Sequence, residues 1–543
     1  MDLGLLISDF PDGLAMLVDA SASGGAGVAV ASAAGLTRIT DITEDSRSVM
    51  PGSLFIARKG EKTDGRVFIK AAVAAGAAAV LVEAGVLPAE AEAAISQAGH
   101  RGTLVLTSTD VRLTTALLAE RFYGEPSAKL KLIGATGTNG KTTTTFLIHQ
   151  LLNKVHIRCG LMGTVLIDDG VETAPAQLTT APALEISRTL ARMHESGCRA
   201  CSFEVSSHAL DQERVGALKI AAAVFSNLTH DHLDYHKTME NYAAAKARLF
   251  AMLPDAAAGG VAVVNADDPW HKKMLEGCKA RVVRCSMKSR HDGSLPAADW
   301  SARIVALTLT GMDVEFTPPT GRPVRVHLPL IGEFNVMNAM QAAAVASACY
   351  PDHLTAQAAA EALAHVHAPP GRLQPVTGPK DAAAVFVDYA HTDDALSRVL
   401  TVLRKALVGS GSGGRLLCVF GCGGDRDKTK RPKMARVAAT LADKAFATSD
   451  NPRSENPEAI LNQVVAGVPA ERRLAVVRVT DRAEAIRQAV TDLHAGDILV
   501  VAGKGHEDYQ IVADGRGGTV KNKFDDRDEV RKALAVNKVG ERG

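Results

Sequence analysis

The sequence predicts an α/β protein of three domains. Three observations carry this. The chain has 543 residues, more than one hydrophobic core usually serves; short apolar runs alternate with helical stretches along it; and a glycine-rich turn joins one apolar run to a helix. From the start to Pro126, "SLFIA" and "AAVLVE" read as strands between Ala-rich helices, a small α/β domain over 1–126. Over 127–367, "LKLIGA", "ACSFEV", "AAAVFSNL" and "GVAVVNA" alternate with helical segments, so a mostly parallel sheet is expected. "HAPPGR" (367–372) is the expected hinge. Over 368–543, "AAVFVDYAH", "GRLLCVFGCGG", "KAFATSD" and "GDILVVAGKGHE" are again buried strands ending in polar loops, where ligands of such sheets sit. "GSGSGG" (409–414) reads as a flexible surface loop.

Composition narrows the function classes. The hydrophobic fraction is 46% and the charged fraction 22%, ordinary for a globular chain. A net charge of +1 gives no bulk field toward nucleic acid or a membrane surface, and neither is expected as a partner. The eight cysteines show no paired metal spacing, which suits reduced thiols in a cytoplasm. Cys418 and Cys422 flank a glycine turn and read as buried small hydrophobes rather than a redox pair. "MDLGLLISDFPDG" carries Asp2 and Asp9 and no basic segment, unlike a secretory signal. The Ala-rich run from Ala71 to Val82 is too short to span a bilayer. A cytoplasmic, soluble protein is expected.

The chemistry starts at "KLIGATGTNGKTTTT" (131–145). Glycines let backbone N–H groups turn inward, a lysine adds a point charge, and the following helix start adds its partial positive end; together they suit a polyanion. The stretch reads as a P-loop with Ala135 in place of the first glycine. Gly137, Thr138, Asn139, Gly140, Lys141, Thr142 and Thr143 are then the nucleotide-binding candidates: Lys141 for the β/γ-phosphates, and the Thr142 hydroxyl for Mg²⁺. "FEVSSH" (203–208) puts Glu204 at a strand end, where a carboxylate suits Mg²⁺. "NLTHDHLDYH" (227–236) is rich in histidine and aspartate; it nearly matches the H-x-H-x-D-H pattern of dinuclear hydrolases, a rival reading against which the P-loop weighs. His232 is the metal candidate there, and other histidines of the run can serve as caps or loop hydrogen bonds. Asn335 and Asn338 in "GEFNVMN" share a helix face and suit a base or ribose edge equally with capping. "VDYAH" brings Asp388 and His391 to a strand end. The basic run Arg426, Lys428, Lys430 and Arg431 reads by itself as a solvated helix start.

In order and spacing, "GTNGKTT", "EVSSH", "NLTHDHLDYH", "YAAAKARLF", "GEFNVMN", "PGR" and "DYAH" resemble the Mur ligase family, and "DSRSVMPGSLFIARKG" extends the likeness into the first domain. "GCGGDRDKTKRP", "TSDNPR" and "AGKGHEDYQ" resemble the branch that uses meso-diaminopimelate. The resemblance implies a UDP-sugar domain, a central ATPase domain and a Rossmann-like amino-acid domain in a monomer. It implies ATP and Mg²⁺ as cofactors, and a UDP-N-acetylmuramoyl dipeptide and meso-diaminopimelate as substrates. It implies catalytic roles for Lys141, Lys246 and His232, with Lys246 carbamylated, and metal ligation by Thr142, Glu204, His232 and Lys246. Asn335, Arg372 and Asp388 line the nucleotide side by the same likeness. Ser46 falls to the uridine end, and Thr179, Thr180, Ser206, Gln212 and Arg214 to the muramoyl dipeptide. Arg426, Asp450, Asn451, Pro452, Arg453, Gly503 and Glu507 fall to the amino acid, with Arg453 on its distal carboxylate. Leu178, Ala181 and Asp393 depart from the family pattern; the first two touch the dipeptide loop, the third a helix start. A lysine-adding sister and a folylpolyglutamate-synthetase-like ligase are the alternatives.

Overall fold

Runs such as "LLCVFGC" have no polar alternation, so both sheet faces need cover, and helices supply it. The computed structural model describes residues 1–8, 10, 16–18, 36–60, 63–85, 93–94, 103–288, 298–378 and 381–540. The first sheet holds β1 (Met16–Val18), β2 (Asp41–Thr43), β3 (Ser53–Ala57), β4 (Ala79–Glu83) and β5 (Leu104–Ser108) in the order β1-β5-β4-β3-β2, parallel except at β1. Helix Val111–Phe122 follows, its first turn capped by Asp110 accepting from Leu113 N at 3.0 Å. Near its end, buried Glu120 accepts from Ser127 N and from Ser187 Oγ (2.7 Å), which joins the first sheet's unit to helix Ala183–Glu195.

The second sheet has eleven strands: β6 (Lys131–Thr136), β7 (Cys159–Met162), β8 (Leu166–Asp168), β9 (Thr173–Pro175), β10 (Ala200–Glu204), β11 (Ile220–Phe225), β12 (Val261–Asn265), β13 (Arg281–Ser286), β14 (Trp300–Leu307), β15 (Met312–Thr317) and β16 (Val324–Leu328). Their order is β16-β15-β14-β13-β12-β11-β6-β10-β7-β8-β9, parallel from β14 to β7 and antiparallel at both margins. The chain leaves β6 toward β7 and β10, then crosses to β11 on the other side. The carboxyl end of β6 is therefore a topological switch point, where such sheets bind ligands. Helices Lys141–Lys154 and Glu333–Cys349 cover one face through Leu147, Leu151, Val336 and Met340, while Phe203, Phe225, Tyr242 and Leu249 fill the other.

The third sheet runs β17-β18-β22-β19-β20-β21, from β17 (Gln374–Pro375), β18 (Ala384–Asp388), β19 (Leu416–Cys422), β20 (Lys444–Ser449), β21 (Val476–Arg478) and β22 (Ile498–Ala502), with only β17 antiparallel. A hairpin of β23 (Tyr509–Ala513) and β24 (Thr519–Lys523) follows. Cys418 and Cys422 are buried in β19 without disulfides, and burial pushes both thiols up to about 12, as inert core positions require. Among the described residues no helix is long and apolar enough to cross a membrane.

One expectation is corrected here. Arg431 does not lie on a solvated helix start: it is fully buried in helix Lys430–Leu441. Its guanidinium donates to Glu455 Oε1 (2.9 Å) and Oε2 (3.0 Å), to Gln463 Oε1 (2.7 Å) and to Gly423 O (3.0 Å). That pairing holds the Glu455 carboxyl down at about 2. A local charge run cannot reveal that Glu455, in a separate turn, supplies the counter-charge.

A second buried pair underlies β20 and β22. Arg482 and Asp526, both fully buried, meet through Nη2–Oδ2 (2.6 Å) and Nε–Oδ1 (2.7 Å), and Arg482 Nη2 also donates to Ala502 O. Removing one partner strands the other charge in the core. Asp526→Ala is expected to lower unfolding free energy by about 3–5 kcal/mol in a denaturant titration, and a loss under about 1 kcal/mol would refute this.

Candidate active site

The glycine-rich turn lies at the switch point. Gly137 (φ 147°) and Gly140 (φ 87°) are in backbone conformations that disfavour a side chain. A Cβ on Gly137 would lie 2.0 Å from Ser226 Oγ, and one on Gly140 2.5 Å from Asn338 Oδ1. Helix Lys141–Lys154 starts directly after Gly140, with no side-chain cap on its first N–H groups. Lys141 Nζ donates to Gly137 O and Thr138 O, both at 2.9 Å, so its ammonium sits within the loop. Burial pulls Lys141 below the usual lysine range, and Glu204 and Asp231 oppose that pull.

The segment "NLTHDHLDYH" does something the sequence reading missed: its first residues grip the loop. Thr138 N donates to Asn227 O (2.8 Å), Asn139 N to Asn227 Oδ1 (3.0 Å), and Thr229 N to Thr138 Oγ1 (2.9 Å). Of its histidines, His236 is buried against Ser207 Oγ (2.9 Å), a hydrogen bond between two short helices, Leu233–His236 and Ser207–Asp211. His232 is half exposed, at φ 52°, edge-on to His208 at 5.0 Å and to Tyr242 at 6.0 Å. Among the described residues no three His, Cys, Asp or Glu side chains converge on a metal position.

Lys246, from helix Met239–Ala251, is 1% exposed and points at the loop. Its Nζ donates to Gly137 O (2.9 Å) and stands over the Tyr242 ring at 4.7 Å. Burial, then repulsion from Lys141, lowers it well below the usual lysine range, and Asp231 only partly offsets this. It is a desolvated amine whose surroundings disfavour the ammonium form.

Glu204, at the end of β10 and buried, accepts from Thr164 N (2.7 Å) and Thr164 Oγ1 (3.1 Å). Thr164 Oγ1 also lies 3.1 Å from Thr179 Oγ1, and since its one proton goes to the Glu204 carboxylate, Thr179 donates to it; an unassigned threonine thus connects the two. Thr180 Oγ1 donates to Glu204 O (2.8 Å) and accepts from Ser206 N (3.0 Å). Arg214 donates from Nη1 to Thr180 O (2.7 Å) and from Nη2 to Gln212 Oε1 (2.7 Å). Thr179, Thr180, Glu204, Ser206, Gln212 and Arg214 are thus one hydrogen-bonded cluster.

A cavity of about 660 Å³ opens between the second and third sheets' units. It is lined by Thr138 to Thr143, Thr179, Glu204 and Asn335 on one side and by Arg372 and Asp388 on the other. Asn335 accepts from Asn338 Nδ2 (3.0 Å) and donates to Ile331 O (2.8 Å). Asp388, raised by burial, accepts from Leu373 N (2.7 Å) and Ala390 N (2.8 Å), and Arg372 lies over the Tyr389 ring. Ser46 stands apart, in the turn Ser46–Ser48 after β2.

Residues 38–122 match the description "Mur ligase family, catalytic domain", 135–346 "Mur ligase middle domain", and 371–505 "Mur ligase, glutamate ligase domain". The chain belongs to the Mur ligase family. Two Mur ligases named UDP-N-acetylmuramoyl-L-alanyl-D-glutamate–2,6-diaminopimelate ligase are similar to it. That of Gloeobacter violaceus is 44% identical, covering 92% of this chain and 94% of its own. That of Synechococcus sp. is 43% identical, covering 91% and 94%. A solved structure of a ligase with the same name superposes with a TM-score of 0.64 at 34% identity, covering 92% of this chain and 95% of that one.

In this Mur ligase the remaining predicted residues gather at the carboxyl ends of β19, β20 and β22, outside the lining of the cavity. Arg453 (φ 53°) donates through Nη1 to Gly424 O (2.8 Å), and its N–H to Ile511 O (3.0 Å). Among the described residues its Nε and Nη2 have no hydrogen-bond partner, and no carboxylate lies within 4 Å. Asn451 Nδ2 donates to Glu507 Oε2 (3.0 Å). Gly503 packs against Asp450: a Cβ there would lie 2.5 Å from Asp450 Oδ2. Pro452 is buried beside them, and exposed Arg426 flanks the same turn.

Proposed function

We propose that this chain is an ATP-dependent ligase that forms an amide between meso-diaminopimelate and the D-glutamyl carboxylate of UDP-N-acetylmuramoyl-L-alanyl-D-glutamate. The observation that carries the amino-acid choice is Arg453. A half-buried guanidinium with two donors to spare and, among the described residues, no carboxylate within 4 Å suits a carboxylate that lysine lacks, and Glu507 next to Asn451 suits the neighbouring ammonium. Residues 1–126, 127–367 and 368–543 are the three domains of this reading, in a monomeric bacterial cytoplasmic enzyme. Ser46 takes the uridine end, and the cluster from Thr179 to Arg214 the muramoyl dipeptide.

In the first step a glutamyl carboxylate oxygen attacks the γ-phosphorus, ADP leaves, and an acyl phosphate forms. The diaminopimelate amine then attacks the acyl carbon; the tetrahedral intermediate loses a proton and expels phosphate. Lys141 and the uncapped helix start offset the charge on the β- and γ-phosphate oxygens, and Asn335, Arg372 and Asp388 hold the nucleotide. The donor set fits Mg²⁺ in part: the Thr142 hydroxyl and Glu204 carboxylate are hard oxygen donors lining one cavity. Thr142 and Glu204, and His232 with a modified Lys246, would hold Mg²⁺, which would supply charge neutralisation to the transferring phosphoryl group. Phosphate release with the UDP-dipeptide, comparing meso-diaminopimelate, L-lysine and glutamate, tests this; turnover with lysine alone points to the sister ligase.

An ammonium beside a divalent cation is repelled, so Lys246 fits this site only once carbamylated. The neutral form of its amine adds to CO₂, forming the N–C bond and releasing one proton, and the product is a carboxylate-like ligand. Enzyme in ¹³C-bicarbonate is expected to show a carbamate carbon by NMR. Lys246→Ala should lose that signal and its activity, the latter partly restored by a small carboxylate. No carbamate in active wild type would defeat the assignment.

Because the Arg453 cluster does not line the Lys141 cavity, acceptor and acyl phosphate meet by closure about residues 367–372. The radius of gyration should fall when an ATP analogue and the UDP-dipeptide bind together; scattering that shows no compaction counts against closure.

A further inference from the structure

Lys504 lies in the loop after β22 and is fully buried. Its Nζ donates to Asn451 Oδ1 (2.9 Å) and Tyr509 O (2.7 Å) and stands 3.9 Å from Glu507 Oε2. Asn451 Oδ1 also accepts from Ile511 N (2.9 Å), and its Nδ2 donates to Glu507 Oε2 (3.0 Å). An ammonium and a backbone N–H can only donate, so the amide oxygen of Asn451 must face them. Its NH₂ is thereby forced toward Glu507. One buried cation sets the orientation of one amide, and that amide orients one carboxylate.

We propose that Lys504 is a positioning residue for the acceptor: it fixes Asn451 and holds the Glu507 carboxylate aimed at the distal ammonium of meso-diaminopimelate, an assignment that rests on the function proposed above. Asp450, Lys504, Arg453, Tyr389 and Tyr509 face Glu507 from the surrounding loops and β23. Burial and Asp450 push Glu507 up, while the Asn451 bond, Lys504 and Arg453 pull it down. Lys504 itself is lowered by burial and by Arg482, with Asp450, Asp526 and Glu507 opposing. Without its charge Glu507 rises further. Ammonium recognition needs the ionised form, so it then fails at a higher pH.

Steady-state kinetics of the full-length Lys504→Met and Lys504→Gln variants test this. For Lys504→Met, KM for meso-diaminopimelate is expected to rise about tenfold or more while KM for ATP and for the UDP-dipeptide stays within about twofold. The acid limb of kcat/KM for diaminopimelate should move to higher pH in both variants. Lys504→Gln keeps an N–H donor for Asn451 without the charge, so its KM should rise less than that of Lys504→Met. A diaminopimelate KM that does not move, three KM values rising together, or an unshifted acid limb overturns the proposal. If Lys504→Met does not fold, the acid limb of Lys504→Gln decides alone. Wild type that does not use diaminopimelate overturns the functional reading; wild type that does, with unchanged variants, overturns only the role of Lys504.

Discussion

Lys141→Ala is expected to lower the ligation rate by a hundredfold or more. The ammonium stands inside the turn, bonded to the carbonyls of Gly137 and Thr138, with the helix start directly behind it. A transferring phosphoryl group gathers charge on oxygens that this loop faces, and water cannot replace a preorganised donor there. Losing one such contact costs about 3–4 kcal/mol of transition-state stabilisation. Fold stability should change little, because Gly137 O still accepts from Lys246 Nζ and Thr138 is only half-buried. Single-turnover acyl-phosphate formation, with a thermal melt as control, checks both halves. Near-wild-type turnover would remove the nucleotide assignment from this loop.

Arg453→Ala is expected to remove the preference for meso-diaminopimelate over L-lysine. With lysine bound, wild-type Arg453 loses water and meets no carboxylate, a penalty of roughly 2–5 kcal/mol, so wild-type discrimination should be on the order of a hundredfold or more. The variant removes both the contact and the penalty. Its kcat/KM for diaminopimelate should fall toward that for lysine, while KM for ATP is unchanged. Arg453→Lys should not restore the preference, since an ammonium cannot present two parallel N–H donors to one carboxylate. A variant that keeps its full preference, or a wild type that prefers lysine, would show that another group reads the distal carboxylate.

The sequence by itself determined the local chemistry. "GTNGKTT" behind an apolar run specifies its own turn, because Gly137 and Gly140 take backbone conformations that other residues resist and the helix must begin at Lys141. Strand ends at Glu204, Asp388 and Ser449 were legible for the same reason: unbroken apolar runs stop where polar groups start. Tertiary structure decided which groups share an environment. It placed the Lys246 amine on the Gly137 carbonyl, 109 positions away, in a site whose burial pulls it well below the usual lysine range. It made Asn227 and Thr229, at the start of the histidine-rich run, the clasp of the glycine-rich turn. Arg431 became a buried strut because Glu455 meets it, and Lys504 joined Glu507 in one cluster because Asn451 bonds to both. Backbone conformation follows from neighbours in sequence; desolvation and charge pairing follow from neighbours in space, which only packing assigns.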